Sequence, residues 1–106
     1  MRVEIYEYLY VNAQGYDNKI KAKDLMRIFN IMDHKSFRKE IEELRLNGYL
    51  IGSKSGKNGG YFIPKTREEA MTVVLDLKRR ANMMLRMVYV MNNFIDKEFG
   101  GNNERL

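Results

Sequence analysis

One stretch, residues 33–63, constrains the fold more than any other part of this chain of 106 residues. It begins with a predicted amphipathic helix from Asp33 to Asn47. Within it Phe37, Ile41 and Leu44 recur at intervals of four and three, so they share one face of the helix. That face must be buried against a core, and the rest of the chain has to supply the cover.

The residues after this helix predict a β-hairpin. Gly48 is placed to end the helix, because a left-handed backbone conformation at that position costs glycine nothing. Two apolar triplets, Tyr49–Ile51 and Tyr61–Ile63, are joined by residues 52–60, which contain glycine, serine, lysine and asparagine only. We therefore expect a strand, a flexible basic loop and a second strand.

The side of the predicted helix opposite Phe37 is mainly cationic. It carries Lys35, Arg38 and Lys39 with one acid, Glu42, whereas the other glutamates fall to one flank of the helical wheel. Such a helix beside a cationic hairpin suits a polyanionic ligand.

Two further helices are predicted before Asp33. The first spans about residues 3–13, with Val3, Tyr6, Leu9, Tyr10 and Ala13 on a stripe that covers the core. The second spans about 22–30 and carries Leu25, Met26, Ile28 and Phe29. The short connection from Asn30 to Asp33 predicts a tight turn with Asp33 as N-cap of the next helix, which is a helix-turn-helix arrangement.

The segments Lys23–Leu25, Ser36–Leu44, Asn47–Ile51 and Gly60–Ile63 together resemble the winged helix-turn-helix superfamily. The resemblance covers about residues 3–65, and the small size and the junction at Pro64 are similar to short regulators of Gram-positive bacteria and their phages. It implies DNA binding through the third helix and the hairpin, or wing. The same fold also serves replication initiators and protein-docking modules.

A long helix is predicted after the hairpin. Thr66 and Glu69 match a capping box, and neither glycine nor proline follows until Gly100. Apolar residues alternate at spacings of four and three in a heptad pattern typical of a coiled coil. We expect these to form a homodimer interface: Val74, Leu77, Ala81, Met84, Val88, Met91 and Ile95. Second apolar positions, Val73, Met83, Met87, Val90 and Phe94, widen the stripe.

The predicted fold class is therefore mainly α with a small β-hairpin (α+β), a winged helix-turn-helix followed by a long C-terminal helix. The expected organisation is a winged helix-turn-helix domain at 1–65, a dimerisation helix at 66–99 and a flexible tail at 100–106.

The candidate DNA-binding residues lie in two groups. Those on the third helix are His34, Lys35, Ser36, Arg38, Lys39 and Glu42. Those in the wing are Ser53, Lys54, Ser55, Lys57 and Asn58. Arg38 is the best candidate for reading a base, because its guanidinium can pair bidentately with guanine; the alternative is an ion pair with Glu42 one turn on. The wing lysines would contact phosphates, or else simply lie in a solvated turn.

Composition narrows the functional class. A net charge of +5 and a pI near 9.5 favour an anionic partner without proving one. No cysteine and a single histidine leave little scope for a metal site, and no nucleophile–base pair or phosphate-binding loop is recognisable, so we expect no cofactor and no enzyme. The acidic N-terminal residues argue against a secretory signal, and no apolar run reaches membrane-spanning length, so a cytoplasmic location is expected.

These patterns lead to one main functional hypothesis and one alternative. The main hypothesis is a homodimeric, sequence-specific regulator of transcription or of phage or mobile-element replication that binds double-stranded DNA. The alternative is a winged-helix adaptor or inhibitor that docks a protein partner through the methionine-rich last helix.

Overall fold

The computed structural model of the protein describes residues 1–100; the predicted flexible tail falls, from residue 101 onward, outside them. The elements are α1 (Val3–Asn12), a 3₁₀ turn (Tyr16–Asn18), α2 (Ala22–Ile28), α3 (His34–Leu46), β1 (Gly52–Lys54), β2 (Gly60–Phe62) and α4 (Arg67–Phe99). The chain is thus mainly helical with one antiparallel hairpin and a long C-terminal helix, which confirms the predicted α+β class. It divides into two compact units, residues 1–73 and the part of α4 from Val74 on.

The start of α3 is fixed by Asp33, as the sequence predicts. One carboxylate oxygen of Asp33 accepts a hydrogen bond from the Ser36 backbone N–H at 2.8 Å, and the other accepts from the Ser36 hydroxyl at 2.9 Å. These two bonds hold the pKa of the Asp33 carboxyl below its ordinary value. The first of them satisfies a backbone donor that the first turn of a helix leaves without an intrahelical partner.

The end of α3 is also as predicted. Gly48 has a left-handed backbone (φ 92°). Its N–H donates to the Arg45 carbonyl at 3.0 Å, and the Tyr49 N–H donates to the Leu44 carbonyl at 3.0 Å. This pair of bonds is a Schellman motif, which uses carbonyls that the last helical turn cannot pair internally.

The buried face of α3 packs into the core of the first unit. Phe37, Ile41 and Leu44 are at most 2% exposed, which confirms the predicted stripe. The other fully buried members of this core come from α1 and the residue after it, from α2 and from the segment before β1: Ile5, Leu9, Ala13, Leu25 and Ile51.

The face that α1 presents to the core differs from the prediction. Ile5 and Leu9, one helical turn apart, are completely buried, whereas Tyr6 is half-buried and Tyr10 is 57% exposed. The tyrosines lie beside the core instead, with the Tyr6 ring 4.8 Å from that of Tyr49. A tyrosine ring can pack against apolar groups while its hydroxyl stays in water. An isoleucine side chain is wholly apolar, so it is more stable when it is fully buried.

The turn between α2 and α3 is short, as expected. Asn30 adopts a left-handed backbone (φ 57°), and the Ile31 N–H donates back to the Met26 carbonyl at 2.8 Å. The Arg2 guanidinium donates to the Phe29 carbonyl at 2.7 Å. The N-terminal segment therefore pairs a carbonyl at the end of α2 and ties the start of α1 to the turn between α2 and α3.

The predicted position of the first hairpin strand was wrong by three residues. Tyr49–Ile51 is not a strand, and β1 instead covers Gly52–Lys54, paired with β2 in the register Gly52–Phe62, Ser53–Tyr61 and Lys54–Gly60. The second strand was predicted one residue late, since it ends at Phe62. The true loop is therefore residues 55–59.

Steric contact at Gly52 explains this register. A Cβ atom at Gly52 would lie 2.5 Å from the Phe62 ring, closer than a Cβ atom comes to a non-bonded atom in folded proteins. The ring of Phe62, only 3% exposed, covers this glycine and makes an edge contact with Tyr16 at 5.5 Å between centroids. Glycine is thus required opposite Phe62 because the ring occupies the space of a side chain.

The hairpin is anchored to the segment that follows α1. Ile20 and Tyr61 exchange two backbone hydrogen bonds of 2.9 and 2.8 Å, and Ile63 makes two more of 2.8 Å with Ala13 and Gly15. The base of the hairpin is consequently held by backbone hydrogen bonds as well as by the core.

The first turn of α4 carries the predicted cap in modified form. The Thr66 hydroxyl accepts from the Glu69 N–H at 3.1 Å, as expected. The Glu69 carboxylate accepts from the Lys65 N–H at 2.8 Å and from the Tyr16 N–H at 3.2 Å. Both bonds lower the pKa of Glu69, and the second ties α4 to the 3₁₀ turn.

Candidate nucleic-acid interface

The three cations predicted on α3 are all exposed. Lys35, Arg38 and Lys39 lie on the side opposite the buried Phe37 face. Among the residues that the structure describes, none of the three forms an ion pair or a side-chain hydrogen bond. The alternative pairing of Arg38 with Glu42 is thus not formed, and the three charges are available to a ligand.

Two of the three glutamates on α3 point away from this surface. Glu40 accepts a hydrogen bond from the Arg2 backbone N–H at 3.2 Å, and the Glu43 carboxylate lies 3.6 Å from the amino group of Met1. Both glutamates are half-buried, whereas Glu42 is exposed. Glu42 is therefore the one acid left on the cationic side of α3, as the helical wheel predicted.

The polar residues of the first turn of α3 have different surroundings. His34 is the first helical residue and is exposed. Ser36 is also exposed, but its hydroxyl donates to Asp33 at 2.9 Å. A contact from Ser36 to a ligand would therefore use the lone pairs of this hydroxyl as acceptors, or would break the cap.

The predicted wing residues divide between the strand and the loop. Lys54 ends β1 and is exposed, and the tip of the loop exposes Ser55, Lys57 and Asn58. Ser53 lies within β1 and is half-buried, and its hydroxyl accepts a hydrogen bond from the Arg45 guanidinium at 3.1 Å. Ser53 therefore belongs to the framework of the hairpin and not to its exposed tip.

Arg45 is the residue that sequence reasoning missed. Its Nε donates to the Ile51 carbonyl at 2.9 Å, in addition to the bond from its Nη2 to Ser53. It joins the last turn of α3 to the start of the hairpin. The available signal was its position: Arg45 lies seven residues after Arg38, hence two turns further on the same side of the helix.

This placement relates the hairpin to the cationic side of α3. Because Arg45 contacts Ile51 and Ser53 and lies in line with Arg38, the base of the hairpin is held beside the flank of α3 that carries Arg38. Lys54 and Lys57, on the hairpin that follows the helix, are exposed and add two further positive charges. We refer to Lys35, Arg38, Lys39, Lys54 and Lys57 as the basic surface.

Residues 1–100 were also searched for metal-binding groups and for membrane-spanning helices. That part of the chain contains no group of three or more His, Cys, Asp or Glu side chains that could hold a metal ion. Within the same residues, no helix combines the length and the apolar character needed to cross a membrane. Comparison of the chain with protein-family models, curated proteins and solved structures found no match.

Proposed function

We propose that the protein is a sequence-specific regulator that binds double-stranded DNA as a homodimer, as its resemblance to winged helix-turn-helix proteins implies. The observation that carries the proposal is the basic surface. Three unpaired cations on one side of α3 and two exposed lysines on the hairpin that follows it suit a polyanion, while two of the three acids of α3 are turned to the N-terminal segment.

The proposal gives the two elements different roles. Arg38, near the middle of the exposed side of α3, reads a guanine through two parallel hydrogen bonds. Lys35 and Lys39 flank it and contact phosphates, and Lys54 and Lys57 contact the backbone beside the groove. Specificity then resides in α3 and general affinity in the lysines. The expected location is the cytoplasm, where the protein would meet bacterial or phage DNA.

The homodimer would be formed by the α4 helices. Their heptad pattern, from Val74 to Ile95, suits self-association. A dimer presents two copies of α3, so the preferred site is a palindrome whose half-sites are about one helical turn of DNA apart.

The test is selection of bound sequences from a random pool of DNA, followed by affinity measurements on the selected site. Arg38→Ala should weaken binding to that site by about 1 to 3 kcal/mol, or roughly 5- to 150-fold, and weaken binding to random DNA far less. Arg79→Ala is the matched control, because it removes the same charge from an exposed arginine of α4 that pairs with Asp76 at 3.4 Å. Failure to enrich any sequence, or equal losses in the two variants, would contradict the proposal.

The exposed apolar side chains of α4 favour a second candidate, a module that docks a protein partner. Met83, Met87 and Phe94 are 50% exposed or more, and flexible methionines suit adaptable interfaces. Pull-down from a nuclease-treated lysate, together with mass measurement in solution, distinguishes the two candidates. A monomer that retains one specific protein without DNA would favour docking.

A further inference from the structure

The part of α4 from Val74 onward carries an uncovered apolar face. The heptad stripe consists of Val74, Leu77, Ala81, Met84, Val88, Met91 and Ile95. Its large side chains are between 38% and 65% exposed. An apolar strip of this length that is exposed to solvent marks an interface, because burying it removes apolar area from water.

We propose that the heptad stripe, from Leu77 to Ile95, is covered by the same residues of a second copy running antiparallel, with the two-fold axis between Met84 and Val88. Val74 then lies at the end of the interface, opposite Glu98. The inference rests on the homodimer of the proposed function and specifies its geometry. In this register Leu77 lies opposite Ile95 of the second copy, Ala81 opposite Met91, and Met84 opposite Val88. The order then repeats in reverse on the other side of the axis.

The sizes of the side chains favour this direction. A parallel pair in register would place Ala81 against Ala81 and Met91 against Met91, so one layer would be too thin and another crowded. The antiparallel register combines the smallest side chain of the stripe with a long one, and its other layers pair residues of similar total volume. Well-packed interfaces avoid both voids and overlaps, so the even layers are preferred.

The residues that flank the stripe favour the same direction. In a parallel pair, flanking positions meet at an offset of five residues, which would set Leu85 beside Arg80 and Met87 beside Asn92 of the other chain. In the antiparallel register Leu85 and Met87 each lie within about 3 Å, along the axis, of their own copies, at 1.5 Å per residue. The apolar flanks then cover one another at the centre of the dimer.

The charges along α4 agree. Lys78, Arg79 and Arg80 form a cationic band in the N-terminal half of the stripe, and Asp96 lies near its other end, on the same flank as Lys78. A parallel pair would set the two cationic bands at the same level and separate Lys78 from Asp96 of the other chain by about 27 Å. The antiparallel register brings those two residues to within about 3 Å of the same level along the axis, on the same flank of the dimer, so the opposite charges are no longer separated along its length.

Disulfide mapping tests the geometry directly, because the natural chain has no cysteine. One chain carries Ala81→Cys, and a second, size-tagged chain carries Met91→Cys. The two are combined by unfolding and refolding together and are then oxidised gently. The expected product is a disulfide-linked heterodimer, and each variant oxidised alone should give no linked dimer above background. In the proposed register, residue 81 lies about 15 Å from its own copy, whereas a disulfide needs Cα atoms about 4.4 to 6.8 Å apart.

A second pair, Leu77→Cys with Ile95→Cys, should also give a disulfide-linked heterodimer. It serves as an independent test in case a substitution of the first pair disturbs the helix locally. Each variant linking to itself would show parallel helices and overturn the inference, as would a stable dimer in which neither mixed pair links. If mass measurement in solution showed a monomer, both the antiparallel geometry and the proposed homodimer would be wrong. The effect of Arg38→Ala on binding to selected and to random DNA is measured in a separate experiment. The proposed DNA binding is therefore tested independently of the direction of the α4 helices.

Discussion

Replacement of Arg45 tests how the hairpin is held against α3. The half-buried guanidinium donates to the Ile51 carbonyl at 2.9 Å and to the Ser53 hydroxyl at 3.1 Å. Ile51 is completely buried, so water cannot replace the lost donor at its carbonyl without opening the structure. Arg45→Ala should therefore destabilise the first unit and loosen the base of the hairpin.

The expected loss of unfolding free energy follows from these two bonds. A hydrogen bond from a charged donor contributes about 1.5 to 3 kcal/mol, and a buried carbonyl left without a donor costs about 1 to 3 kcal/mol. The two figures describe overlapping effects, so we expect a loss of about 2 to 3 kcal/mol for Arg45→Ala. Ser53→Ala removes only the second, half-buried bond and leaves the Ile51 carbonyl paired, so it should cost about 1 kcal/mol or less.

Urea unfolding of each variant, followed by circular dichroism, measures these losses. Arg45→Lys is the matched control, because it keeps the charge but cannot span both acceptors. If Arg45 positions the hairpin, Arg45→Lys should also reduce the salt dependence of DNA binding at unchanged net charge. A loss below about 0.5 kcal/mol in Arg45→Ala, the level of an ordinary surface substitution, would refute the reasoning.

Three further outcomes are expected. Lys54→Ala combined with Lys57→Ala should lower the slope of log affinity against log salt by up to about 2 in binding assays, and an unchanged slope would exclude the hairpin from the interface. Glu42→Gln should tighten DNA binding by about twofold to fivefold, whereas Glu40→Gln should not; equal effects would show that the orientation of these acids is irrelevant. Glu69→Gln should lower the melting temperature at pH 7, because the lowered pKa of Glu69 means that its charged form stabilises the fold above the ordinary carboxyl pKa. This difference from wild type should shrink as the pH falls below about 4, and a difference that persists there would rule out the carboxylate as its cause.

The helices could be predicted from the sequence because their signals are local. Asp33 and Gly48 bracket α3 through bonds to residues no more than four positions away, and the stripe of Phe37 follows from helical periodicity alone. The first strand could not be placed in this way. Tyr49–Ile51 has the composition of a strand, but the register depends on a ring, Phe62, that meets its glycine only after folding.

The candidate site shows the same division. The exposed cations of α3 follow from the helical wheel, and so does the sideways orientation of Glu40. The hydrogen bonds of the serine hydroxyls do not follow from the helical wheel. Ser36 and Ser53 bond to partners whose positions depend on the helix cap and on the strand register. The role of Arg45 could not be predicted for a related reason. Its acceptors, the Ile51 carbonyl and the Ser53 hydroxyl, lie beyond the helix, in residues that were predicted to form a strand and a loop.

The close contact between Gly52 and Phe62 limits which positions of the hairpin can accept substitutions or insertions. The lower rungs of the hairpin are held by that ring and by the backbone bonds between Ile20 and Tyr61, so they tolerate little alteration. The outermost positions, Lys57 and Asn58, face open solvent. Insertions there would lengthen the hairpin or alter its charge without disturbing α3, so reach and recognition can be engineered, or can diverge, independently of each other.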